Sequence, residues 1–474
     1  MLLFTRADNQ LNLSQGIEYT IPNVSDYLLS PDGTQVAYIK SPNGDTYNCE
    51  LWVADKSPSG LINHEMIRND AEYEGLDDWQ GDWILYRIRW WGGPFQRYVH
   101  GPYSYYGRNE LWKMRADGSG EPIQVTHTYY PNNGIKTTEN GWYYDRGSVV
   151  WGRFIPGTSL VYFHAHNGNG WYRTFVCNDD GTDEWYRISD GWTWVPRLSP
   201  TGNKLLWGKQ EDHQLPTIFK SCNVDGTGTT TIRNFHPQKI GVTVLGDGNT
   251  LVWHQHNNLY AMDMDGSNVR TVLDDEYVNI MNIWGNYDPT DPQGLIMASN
   301  RDPDGNMHLF KMNVDGTGIE QLTEGPYNDE YPTLSPDGEY LSYLRLPEDF
   351  VKQGSPVPYP YELVIKSLVV YATVEFHPET LNQKSKGKWV TVYIELPEGY
   401  DVSDIDIESV RLNDVLSRAD SSPTEIDGGI LMVKFDREDV INLLEPGEKV
   451  LITIFGDLLD GQRFEGTCTI RVIN

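Results

Sequence analysis

Four stretches of this sequence set flat aromatic rings beside histidine, arginine and asparagine: WWGGPFQRYVHGPYSYYG (Trp90 to Gly107), YYPNNGIKTTENGWYYDRG (Tyr129 to Gly147), HAHNGNGWY (His164 to Tyr172) and DGWTWVPR (Asp190 to Arg197). Rings of this kind pack against the CH faces of sugars while polar neighbours take the hydroxyl hydrogen bonds, so the grouping suits carbohydrate. The candidate ligand-binding side chains are Trp90, Trp91, Tyr98, His100, Tyr105, Trp142, Trp171, Trp192 and Trp194. The same rings can instead fold long loops down as small satellite cores, and the residue types leave both readings open.

Two His-x-His pairs, His164/His166 and His254/His256, end apolar runs. Alternation along a strand puts both imidazoles of a pair on one face, a spacing that metal ligation uses. The two pairs lie in non-adjacent repeats, and polar strand ends bonded to loops are the simpler account. No cofactor is required, although calcium or a transition metal is compatible with these groups. NDDGTDE (Asn178 to Glu184) and RDPDGN (Arg301 to Asn306) do not complete a twelve-residue calcium loop and read as turns.

The elements that must position these residues announce themselves by repetition. YLLSPDGTQVAYIK (Tyr27 to Lys40), PRLSPTGNKLLWGK (Pro196 to Lys209) and YPTLSPDGEYLSYLRLP (Tyr331 to Pro347) each give a strand, a turn and a second strand. Weaker copies extend the series to turn glycines at Gly33, Gly81, Gly157, Gly202, Gly248, Gly294 and Gly338, with intervals of 48, 76, 45, 46, 46 and 44 residues. A second, interleaved series such as IFKSCNVDG, LYAMDMDG and LFKMNVDG adds Asp-Gly hairpins, each followed by one more strand. Four strands at this period make a β-propeller blade. Seven corners predict seven blades, with eight as the alternative. The last blade lacks a fourth strand, which GIEYTI (Gly16 to Ile21) has the pattern to supply, so that the ring closes without a free edge.

In such a blade the first-to-second and third-to-fourth turns share one rim, so SPDG and DG turns form a short, uniform side. The aromatic stretches, including the insertion behind the 76-residue interval, belong to the opposite rim.

LFKMNVDGTGIEQLTEGPYNDEYPTLSPDGEYLSYLR resembles the PD40 or TolB-type (WD40-like) propeller repeat, specifically over Met307 to Arg345 and more weakly over the rest of Met1 to Leu368. The resemblance implies a TolB-like β-propeller. TolB-like proteins, oligogalacturonate lyases and prolyl-oligopeptidase-type enzymes share the repeat, so it implies a fold and not a function.

After Leu368 the composition changes to alternating strands with one short helix at REDVINLL, which predicts an Ig-like β-sandwich over 369–474 behind a propeller over 1–368. The segment LNQKSKGKWVTVYIELPEGYDVSDID is similar to a module found at the C-terminal end of archaeal and bacterial cell-surface proteins, which implies an extracellular or cell-surface place. MLLFTRADNQ is too short in its apolar part, and charged too soon, for a signal peptide, so the expectation is either a protein made in the cytoplasm or a leader missing from this sequence.

With 37 Lys+Arg against 67 Asp+Glu the net charge is −30, which repels nucleic-acid phosphate and anionic membrane; no run has the length of a membrane span. Cys49, Cys177, Cys222 and Cys468 lie far apart without CxxC spacing, against a zinc ribbon or a dense disulfide framework. No GxSxG elbow is present, so a hydrolase-domain peptidase is excluded. The expectation is a non-enzymatic module that binds a glycan or a surface protein, or a structural element of a surface layer or filament, with homo-oligomerisation allowed. A polysaccharide lyase or glycosidase of the oligogalacturonate-lyase-like type is the alternative.

Overall fold

The computed structural model describes residues 18–41, 49–57, 60–69, 73–90, 108–127, 148–166, 172–182, 185–188, 192–199, 202–210, 217–235, 242–255, 258–274, 280–281, 294–301, 305–346, 361–413, 415–418, 425–459 and 462–474. Among them the chain is all-β, with one α-helix at Arg437–Leu443. It divides into two compact units, Tyr19–Ile365 and a second that contains Lys366–Asn474.

The first unit is a succession of four-stranded sheets, in the first six of which strand order follows the chain. The first sheet is Val24–Leu29, Gln35–Lys40, Glu50–Ser57 and Gly60–Arg68; the second is Tyr73–Gln80, Trp83–Trp90, Arg108–Arg115 and Ile123–Gln124. The third is Ser148–Phe154, Leu160–His166, Tyr172–Asn178 and Trp185–Arg187, and the fourth is Trp192–Leu198, Lys204–Gln210, Thr217–Asn223 and Thr230–Phe235. Val242–Val244, Thr250–Gln255, Asn258–Asp263 and Arg270–Leu273 form the fifth; Ile280–Met281, Gly294–Ser299, His308–Asn313 and Glu320–Gln321 form the sixth. In the seventh, Asn328–Leu334, Tyr340–Leu346 and Glu362–Ser367 are completed by Glu18–Pro22, the first described strand of the chain. Gly294 opens a strand instead of marking a turn, because the residues between the first two strands of the sixth sheet outnumber those of a tight hairpin.

A lone four-stranded sheet cannot bury both faces, and here the apolar side chains pack between successive sheets. Ala37, Ile39 and Leu51 of the first sheet meet Leu76, Ile84 and Tyr86 of the second. Leu85 and Leu111 meet Val149, Val161 and Phe163 of the third, and Tyr162 and Val176 meet Leu205 and Trp207 of the fourth. Leu206 and Phe219 pack on Val242, Leu251 and Trp253 of the fifth, whose Val252 and Leu259 pack on Leu295, Met297 and Phe310 of the sixth. The seventh sheet also touches the first: the Tyr27 hydroxyl lies 2.7 Å from the carbonyl oxygens of both Tyr331 and Ser342, sharing its proton between them.

The second unit has two sheets, one containing Val369–Tyr371, Arg463–Ile473, Gly447–Leu458, Ile405–Leu412 and Leu416–Ser417 and the other Thr373–His377, Trp389–Glu395, Ile430–Asp436 and Glu425–Asp427. Every second residue turns inward, so that Val390, Val392, Ile394, Val433 and Phe435 from one sheet share a core with Ile452, Ile454, Phe464 and Ile470 from the other. The helix starts where the Asp436 side chain accepts the Glu438 N–H, an N-cap that satisfies one orphan donor of the first turn.

Candidate functional site

The DG turns are closed by their own side chains. In Asp180-Gly181-Thr182, Asp225-Gly226-Thr227 and Asp315-Gly316-Thr317 the Asp Oδ1 accepts the Thr N–H at 2.9, 2.8 and 2.9 Å and the Thr hydroxyl at 2.6 Å in each. These bonds hold all three aspartates below the ordinary carboxylate range. The carboxylates are therefore occupied as turn formers. Glycine is needed because a Cβ at Gly181, Gly266 or Gly316 would strike a carbonyl of the preceding sheet, Gln124 O at 2.5 Å, Ile232 O at 2.5 Å and Val272 O respectively, and φ is positive at each. Each DG turn thus leans on the fourth strand of the sheet before it. The first turn of each sheet lies beside its third-strand end, as in the bonds from Lys56 N to Thr34 O and from Met264 N to Asn249 O.

The strands alternate in direction, so the second-to-third connections and the links between sheets leave from the other side. There the backbone of Trp90 ends the second strand of the second sheet, opposite Arg108. Trp192 and Trp194 lie in the first strand of the fourth sheet, opposite Gln210 and Gly208. Trp91, Tyr98, His100, Tyr105, Trp142 and Trp171 lie outside the described residues.

Of the histidine pairs, His164 is buried in the second strand of the third sheet, with its ring 6.2 Å from that of Trp151, and His166 ends the same strand. His254 is half-buried in the fifth sheet, and burial lowers its pKa. His256 is outside the described residues. Among the described residues no three His, Cys, Asp or Glu side chains are grouped to hold a metal ion.

The sequence reading missed a charged seam along the first strands. The first strand of each of the first three sheets is an edge strand with outward N–H groups, and in the second and third sheets carboxylates of the sheet before take them. Asp26 accepts the Leu76 N–H at 2.9 Å, from first sheet to second; Asp78 accepts the Phe154 N–H at 2.9 Å, from second to third. Asp77 is gripped by Arg87, whose Nε lies 3.0 and 2.8 Å from its two oxygens. One seam further, Arg197 Nε donates to Val242 O at 3.0 Å, from fourth sheet to fifth.

Burial, only partly offset by hydrogen bonds and Arg87, lifts Asp26 to about 6; for Asp77 burial outweighs Arg87 and the neighbouring Asp26 adds to the rise, to about 7. Asp78 is also raised by burial, against Arg153. Burial, with Arg153 nearby, lowers Arg197 to about 9. Chemically this is a proton-holding and backbone-capping array. The one sequence signal for it is the acids of SDYLLS and LDDWQG standing just before an apolar run, where an alternating strand has no use for them.

No family model matches the chain. It is 27% identical over 179 residues to Atu1656, an uncharacterized protein of Agrobacterium fabrum, a match covering 37% of this chain and 53% of that protein, so the chain spans about half the length of the curated relative it matches. Among solved structures it is similar to an oligogalacturonate lyase in complex with manganese, at a TM-score of 0.40 and 14% identity over 72% of this chain and 76% of that one. It is also similar to TolB from Acinetobacter baumannii (TM-score 0.32, 12% identity, 53% of this chain and 78% of that one). A puromycin-hydrolyzing peptidase of Mycobacterium tuberculosis gives a TM-score of 0.48 and 12% identity over 80% of this chain and 60% of that one. TolB and oligogalacturonate lyase are β-propellers. The first unit of this chain is itself all-β, a succession of small antiparallel sheets.

Proposed function

We propose that the chain is a seven-bladed β-propeller closed by its N-terminal strand and followed by an Ig-like β-sandwich, and that it works outside the cell or at its surface as a non-enzymatic binding module for glycan. The observation that carries this reading is the asymmetry between the two sides of the sheets. On one side the turns are short and their polar groups are consumed by Asp-Thr bonds and packed glycines. On the other side lie the strand ends at Trp90 and Arg108, at Gln124 and Ser148 and at His166 and Tyr172, between which the sequence holds Trp91, Tyr98, His100 and Tyr105, then Trp142, then Trp171. Recognition is assigned to those connections, with Trp90, Trp192 and Trp194 at their strand ends.

The test is a glycan array probed with the full chain, followed by titration of the best soluble oligosaccharide against wild type and Trp192→Ala. The reading expects saturable binding that the substitution weakens by about tenfold or more, the loss of roughly one stacked ring. Array signals no higher than those of a heat-denatured sample would overturn it.

A further inference from the structure

We propose that the seam joining the first three sheets is a proton-operated clamp, in which Asp26, Asp77 and Asp78 hold neighbouring sheets most firmly when the cluster has taken up a proton. The clamp is built from groups on five strands. Asp26, with Tyr27 beside it, faces Asp77 and Arg87 of the second sheet; Asp78 faces Arg153 and Tyr162 of the third, with Arg197 of the fourth next in line. Asp26 and Asp77 approach one guanidinium from two sheets. Gly75 has no room for a Cβ because Arg87 Nη2 and Asp26 Oδ2, the latter at 3.0 Å, already fill the place.

Arg87 is committed to Asp77 through its Nε. Asp26 takes two backbone donors, Tyr27 N–H and Leu76 N–H at 2.9 Å each, and among the described residues no ion pair. Two carboxylates around one cation leave a negative charge in a crowded, poorly hydrated place, and a proton is the cheapest way to remove it. Protonation leaves the staple intact, since a neutral carboxyl still accepts a backbone N–H through its carbonyl oxygen.

Direction follows from the sign of the shifts. Both groups sit above the ordinary carboxylate value in the folded chain, at about 6 and about 7, so their contribution is fully present below about pH 4 and is lost as pH rises through 6 and then 7. The seam is therefore tighter at pH 5 than at pH 8. His254, whose pKa is lowered by burial, contributes stability that is present above about 6.5 and is lost at lower pH, so the clamp is read from variants against wild type.

The test is urea unfolding of the full chain at pH 5, 6, 7 and 8 for wild type and Asp26→Asn, whose amide keeps an acceptor and carries no charge. Wild type should lose midpoint between pH 5 and 8 relative to Asp26→Asn, and the variant should match or exceed wild type at pH 8. Each unit of lost shift is read as about a tenfold change in the folded-to-unfolded ratio. Identical pH slopes for the two proteins would overturn the proposal. Should Asp26→Asn not fold, amide exchange at Leu76 and Phe154 in wild type decides: slower, after correction for intrinsic rate, at pH 5 than at pH 8 supports the clamp, and pH-independent exchange refutes it.

Discussion

The two units bury different chemistry. Every described buried polar or charged residue, from Ser30 through Asp77, Glu110, Asp329 and Arg345 to Ser367, lies in the succession of small sheets or its last strand; from Val369 onward the described buried residues are apolar. In the first unit polar staples such as Asp26 to Leu76 and Tyr27 to Tyr331 join several of the sheets to their neighbours. The second unit needs no such devices, because two longer sheets face each other across one apolar core. Specific polar contacts thus align repeated elements, and hydrophobic burial suffices where the elements are few.

The difference can be broken most forcefully in the apolar core. Phe435→Ala empties a fully buried ring site shared by both sheets and should cost about 3–5 kcal/mol, read as loss of a separate transition in calorimetry of the full chain while the first unit's transition stays. Next comes the contact between the seventh and first sheets: Tyr27→Phe removes the hydroxyl shared by the Tyr331 carbonyl and the buried Ser342 carbonyl and should cost about 1–3 kcal/mol in urea unfolding. Gly266→Ala and Gly399→Ala separate packing from backbone strain. Both have positive φ, but only Gly266 has a carbonyl 2.5 Å from the added Cβ, so it should lose about 1 kcal/mol more than Gly399→Ala by the same measurement. Smallest of all, Leu459→Ser changes a side chain that is 72% exposed and should move stability by less than about 0.5 kcal/mol.

What was legible in the sequence was whatever a single residue must do for local reasons. The glycines of the SPDG and DG turns stand where the backbone needs positive φ, as at Gly33, Gly202 and Gly338, and alternation in VTVYIE gives the inward Val390, Val392 and Ile394 of the second unit. REDVINLL forms the predicted helix behind its Asp436 cap. The seam was not legible, because its acceptors pair with backbone N–H groups 50 and 76 residues away, and a backbone donor has no side-chain signature. Gly294 was misread for a related reason: a glycine before an apolar run looks like a turn wherever the true connection is long.

The contrast between a proton-sensitive polar seam and an insensitive apolar core is tested most directly by hydrogen-exchange mass spectrometry of the intact chain at pH 5.5 and pH 8, corrected for intrinsic rates. Loss of protection at pH 8 should be confined to peptides covering Val24–Leu29, Tyr73–Gln80 and Ser148–Phe154, with Trp389–Glu395 and Ile430–Asp436 unchanged. Equal loss in both units, or none in the first, would contradict it.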